Sequence, residues 1–218
     1  PSVSLPFHLL DAYLRNVKID KRLGAQWDTV AMLLGQPARG VDLSKRDLRH
    51  ANLNGLRVTG GSLVDANLYQ ASLRDAHLSS VDLSQANLWG ASLLHAVFED
   101  CRLIHTNFYH ADLSHAVLNN AMLENANLTG ANLTHASLRD ADLSHTDLTD
   151  ATLIDVDFSG AVLNGDQQLR FAHMLRGSIM PDGSRYDGCY ALPGDLALAE
   201  TLGFDGHSEA RLKDYYGV

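Results

Sequence analysis

Along the middle of the chain an apolar residue returns at every fifth position. In the stretch ENANLTGANLTHASLRDADL the leucines are Leu128, Leu133, Leu138 and Leu143. Five residues of α-helix rotate about 500°, which would scatter these leucines around the cylinder. In a flat strand an odd spacing would send alternate leucines to opposite faces. The pattern therefore calls for a chain that turns a corner within each block of five and winds around an axis, with leucine pointing inward every time.

Counted from Val41, blocks of five run without insertion to Gly165, 25 in all. The third residue is Leu in 21 of them, the exceptions being Val58, Phe98, Phe108 and Phe158, and the first residue is Ala in 16. The second is mostly Asp, Asn or Ser, and the fourth and fifth are mostly polar. No proline falls between Pro37 and Pro181. Burying each central side chain is worth about 1.5–3 kcal/mol, so the core accounts for the apolar pattern and leaves no leucine over for a ligand pocket.

The blocks resemble the pentapeptide-repeat motif A-(D/N)-L-x-x, as in Ala51-Asn52-Leu53, Ala66-Asn67-Leu68, Ala86-Asn87-Leu88, Ala111-Asp112-Leu113, Ala126-Asn127-Leu128 and Ala141-Asp142-Leu143. The resemblance implies an all-β solenoid, a right-handed quadrilateral parallel β-helix with four blocks to each coil. Residues 41–165 would then make about six coils, a tower roughly 30 Å tall at the ~4.8 Å spacing of neighbouring strands.

An open β-helix exposes unpaired backbone at both ends, so caps are expected. Residues 1–40 read as an α-helical N-terminal cap. One helix starts at Ser4-Leu5-Pro6 with Phe7, Leu10, Leu14 and Val17 on a stripe, and a second spans about Asp20 to Leu34 and carries Trp27. Residues 166–218 read as a C-terminal helix/turn cap resembling the tail of cyanobacterial members. A short helix runs from Asp166 to Leu175, a hairpin turns at Pro181-Asp182-Gly183, and two helices span about Asp195–Leu202 and Ser208–Tyr216. Arg46, at an inward position of the bottom coil, is expected to leave through the open end or to pair with Asp42 or Asp47. Cys101 reads as a small core residue.

Stacking at twenty residues turns sequence into columns. Tyr69, Trp89 and Tyr109 share one column beside a ladder of Asn67, Asn87, Asn107 and Asn127. Either the ladder serves only the sheet, or the aromatic face receives a partner or a second subunit. His95, His115 and His135 form another column between Asp75 and Asp155. Parallel side chains converge poorly on one centre, so no metal site is assigned there.

No phosphate-binding glycine loop, His-Glu-x-x-His or nucleophile-elbow pattern is present, so neither catalytic residues nor a cofactor are assigned. The absence of an 18-residue apolar run and of a signal-peptide pattern leads to an expectation of a cytoplasmic protein with no membrane span. The whole chain carries a formal charge of −9. The tower is basic at its bottom, with Lys45, Arg46, Arg49 and Arg57. It is acidic at its top, with Asp140, Asp142, Asp147, Asp150, Asp155 and Asp157. Such a surface repels nucleic acid and anionic membrane and attracts basic partners.

These features point to a non-enzymatic scaffold for an unidentified protein partner, with a homodimer through a terminal cap or the aromatic face as one option. The resemblance also implies an alternative, a DNA mimic that binds type II topoisomerase (gyrase) and alters quinolone sensitivity. Against it, the top aspartates surround all four sides, the tower has no projecting loop, and the tail is longer than a compact dimerising helix.

Overall fold

The computed structural model describes residues 38–163 and 175–186. The N-terminal helices expected before Ala38, and those expected over 166–174 and after 186, lie outside the described residues. Within them the chain forms a parallel ladder with a repeat of twenty. Strands β1 (Ala38–Asp42), β2 (Arg57–Ser62) and β3 (His77–Ser79) pair in that order, Ala38 opposite Val58 and Val58 opposite Leu78. Above them, single parallel bridges continue at second positions, as in Asn67–Asn87–Asn107–Asn127–Asp147 and Asn52–Ser72–Ser92–Asp112–Asn132–Thr152. Four such series, one per side, make the coil a square of four blocks.

One block shows why five residues suffice. The N–H of Ala86 closes the preceding corner on the carbonyl of Leu83 (3.0 Å), and that of Asn87 reaches down to Ala66 (2.9 Å). Leu88 and Gly90 donate upward to Asn107 (2.7 Å) and Tyr109 (2.9 Å). The remaining N–H, on Trp89, is accepted by the side-chain Oδ1 of Asn87 at 3.2 Å. Every donor in the block is matched, as buried backbone requires. The second-position Asp or Asn is thus a turn cap built into the repeat, and the same bond recurs from Ser84 to Asp82 and from Ser114 to Asp112.

The fifth residue makes the corner. Its φ is positive in every block from Lys45 to Gly160, for example 58° at His95 and 62° at Gly90. That left-handed conformation favours Gly and, among other residues, Asn, Asp and His. The abundance of these types at fifth positions follows from backbone geometry.

Inside, the first and third residues fill the lumen. Leu63, Leu88, Phe98, Phe108, Leu128 and Phe158 are each wholly buried. The two buried first-position threonines have their hydroxyls matched: Thr106 Oγ1 donates to the carbonyl of Leu83 (2.9 Å) and Thr146 Oγ1 to that of Leu123 (2.8 Å). Cys101 Sγ donates to the carbonyl of Leu78, and burial pushes this thiol up to about 12. At the bottom, Asp47 is held by Arg49 through two bonds, 2.7 and 2.6 Å, rather than by Arg46. Arg46 is half-buried.

At the top the ladder continues after an insertion. Ile179 bridges Asp157, a separation of 22 instead of 20, and then pairs antiparallel with Arg185. The hairpin expected at Pro181-Asp182-Gly183 is present, closed by Gly183 N–H on the Met180 carbonyl (2.9 Å). Leu175, Met180 and Tyr186 are buried as part of the same core, so the hairpin covers the last coil. No helix among the described residues is long and apolar enough to cross a membrane.

Candidate interaction face

The side built from Asp47, Asn67, Asn87, Asn107, Asn127 and Asp147 carries the aromatic column. Asn87 Nδ2 donates to Asn67 Oδ1 (3.3 Å), and Asn107 Nδ2 to Asn87 Oδ1 (3.2 Å). Each Oδ1 also accepts the N–H two residues on, from Tyr69 (3.2 Å), Trp89 (3.2 Å) and Tyr109 (3.1 Å). The asparagine ladder is therefore occupied with holding the sheet and its turns, and it fixes the backbone from which the rings project.

The rings meet edge to face. Tyr69 and Trp89 have centroids 5.8 Å apart, and Trp89 and Tyr109 5.0 Å, both at 70°. Such contacts contribute about 0.5–1.5 kcal/mol each beyond area burial. Two residues missed in the sequence extend the column: His50 lies 5.6 Å below Tyr69, and His110 lies 4.3 Å from Tyr109. Both are fifth-position residues at the same corner, and that shared phase was the available signal. Trp89 remains 44% exposed, a large value for an indole already packed between two rings.

Between Arg49 and Asp147 this side presents only Asn67, Tyr69, Asn87, Trp89, Asn107, Tyr109, Asn127 and Thr129 at its outward second and fourth positions. It carries no charge over four coils. Depletion of charge with enrichment of Tyr and Trp is the compositional mark of an interface centre.

The histidine column is also brought together. His95 and His115 lie 4.8 Å apart at 34°, and His115 and His135 4.8 Å apart at 24°. His135 Nδ1 is 3.6 Å from Asp155 Oδ2. Near-parallel rings point their nitrogen lone pairs side by side, away from a common centre. Among the described residues no group of three or more His, Cys, Asp or Glu side chains is arranged to hold a metal ion.

The six aspartates of the acidic end divide into two backbone roles. Asp142, Asp147 and Asp157 are second-position caps, accepting the N–H of Ser144, Thr149 and Ser159 at 2.9 Å each. The Ser144 hydroxyl and N–H hold Asp142 below the usual carboxylate range. Burial raises Asp147, but the bonds from Thr149 outweigh it and the net shift is downward. Asp140, Asp150 and Asp155 stand at corners with φ of 56°, 55° and 53°. The three caps thus stand on three different sides of the coil, and the other three stand at three of its corners.

Two family models match the chain, one described as a pentapeptide repeat region over residues 51–128 and one as pentapeptide repeats over residues 126–165. Among solved structures, the chain is similar to HetL, a pentapeptide repeat protein involved in heterocyst differentiation regulation from the cyanobacterium Nostoc sp. strain PCC 7120. Identity is 30% over 69% of this chain and 82% of HetL, with a TM-score of 0.38. It is similar to alr5209, a pentapeptide repeat protein of Nostoc, at 31% identity over 53% of this chain and 92% of that one, TM-score 0.38. Full-length QnrB1, a plasmid-mediated fluoroquinolone resistance protein, is 24% identical over 76% of this chain and 87% of its own, TM-score 0.38. No curated protein matches the chain. With the two family matches together spanning residues 51–165, more than half of the chain, this chain belongs to the pentapeptide-repeat family, whose members form right-handed β-helices.

Proposed function

We propose that the protein is a non-enzymatic scaffold whose side carrying Tyr69, Trp89 and Tyr109 docks a protein partner. The observation that carries this reading is the uncharged run of four coils with a large, part-exposed indole at its centre. A rigid ladder beneath it means that little conformational entropy is lost on docking. The lumen is filled with leucine and phenylalanine, and the reading requires no cofactor.

This reading is preferred to a gyrase-binding DNA mimic because the top aspartates are explained by turn capping and corner conformation, and they encircle the tower. A supercoiling assay separates the two: the scaffold reading expects no inhibition of gyrase at tens of micromolar, and inhibition there would favour the mimic. For the face itself, Trp89→Ala is expected to abolish partner binding while leaving the melting temperature within a few degrees. Unchanged binding by that variant would remove the face from the function.

A further inference from the structure

We infer that the occupant of the aromatic face is a second copy of this chain, packed antiparallel about a two-fold axis. The inference rests on the face being an interaction surface and adds the identity and orientation of what covers it.

Charge along the side supplies the direction. Its lower coil carries Arg49, with Arg46 half-buried behind it, against Asp47, and Lys45 stands at the corner shared with the preceding side, a corner that carries Asp65 one coil up; its upper coil carries Asp147 and Asp150 with no Lys or Arg in the same coil of that side. Two copies packed in the same direction would set like ends together, which is destabilising. Two copies packed in opposite directions set each basic end against an acidic one.

Symmetry supplies the register. Flat faces related by a two-fold axis that lies in the interface, across the tower, keep each column opposite itself and reverse its order. With the axis between the coils of Trp89 and Tyr109, Trp89 faces the partner's Tyr109. Tyr69 then meets the partner's Thr129, and His50 meets the partner's Asp150. The centre therefore buries only uncharged groups; at the solvated rim Asp47, held by its own Arg49, comes opposite the partner's Asp147, while Arg49 and His50 stand opposite the partner's Thr149 and the partner's Asp150. Six coils make a face about 29 Å tall. A single side of that height lies at the small end of stable interfaces, about 1,200 Å² in total, so a dimer no tighter than the micromolar range is expected.

The test is sedimentation equilibrium of the full chain from about 1 to 100 μM. The expected result is reversible association from 23.7 kDa to twice that mass. Trp89→Arg, which sets a guanidinium against the partner's uncharged centre, should weaken association at least about tenfold with the melting temperature within a few degrees of the parent. His50→Asp and Asp150→Lys should each weaken it about three- to tenfold, and the double variant should return within about twofold of the parent. A chain that stays monomeric throughout overturns the inference. So does a dimer that survives Trp89→Arg, and so does a double variant as weak as the singles. If the chain is monomeric but Trp89→Ala still abolishes capture of a different protein, the docking face stands and only its self-association fails.

Discussion

The hydroxyl of Thr106 donates to the carbonyl of Leu83 in the coil below, at 2.9 Å, in a position wholly shielded from solvent. Leu83 also accepts the N–H of Ala86 at 3.0 Å, so the carbonyl keeps a partner if the hydroxyl is lost. Thr106→Val preserves shape and removes one net bond. It should lower unfolding stability by about 0.5–1.5 kcal/mol, measured by denaturant titration at constant slope.

The corner conformation makes a sharper demand. His115 sits at φ 57°, where a β-branched residue is strongly disfavoured. His115→Val should destabilise by about 1–2 kcal/mol, whereas His115→Asn or His115→Gly should remain within about 0.5 kcal/mol on backbone grounds. If thermal unfolding ranked valine with asparagine, the left-handed corner would be wrong.

Acid should erode stability through the capping aspartates. Asp47, Asp142 and Asp147 are all lowered from 3.8 in the folded chain, Asp47 chiefly by its bonds from Arg49. A depressed folded value means that their contribution is fully present above about pH 4 and is lost as pH falls through the depressed range. Asp142→Asn keeps an oxygen for the Ser144 N–H but cannot titrate. Stability of that variant should match the parent at neutral pH and fall less steeply in acid, as followed by melting temperature against pH.

Cys101 should be inert in the native state. Its thiol is wholly buried and pushed up to about 12, so almost no thiolate exists at neutral pH, and only the thiolate attacks. In a Cys189→Ser background a thiol reagent should modify Cys101 only at the rate of unfolding. Rapid labelling of the native protein would contradict a sealed lumen.

The inward pattern was legible because a filled axis leaves no freedom at the first and third positions, from Leu43 to Leu163. The columns followed from it, including Tyr69–Trp89–Tyr109 and His95–His115–His135. What was harder to see lay in the backbone. The sequence offers the asparagine ladder as serving the sheet, but it does not show that Asn87 and Asp142 also cap N–H groups or that His115 and Asp150 hold left-handed corners. The signal was present in residue type, but polar side chains on a surface need no special explanation until the donors are counted.

Asp47 pairs with Arg49 instead of Arg46 for a related reason: second and fourth positions share the outer face, while position one points in. The turn at Pro181-Asp182-Gly183 was readable from its residues. The two-residue offset that sets Ile179 on Asp157 was not, since register there depends on how the chain returns to the ladder.

The stacking of residues twenty apart is tested most directly by a distance between spin labels at Ser44 and Ser144, which share one column five coils apart. With Cys101 and Cys189 replaced and labelled protein diluted into unlabelled, a single narrow distribution near 24 Å is expected from ~4.8 Å per coil. A broad distribution, or one centred far beyond that value for a pair 100 residues apart, would contradict the tower and the faces built on it.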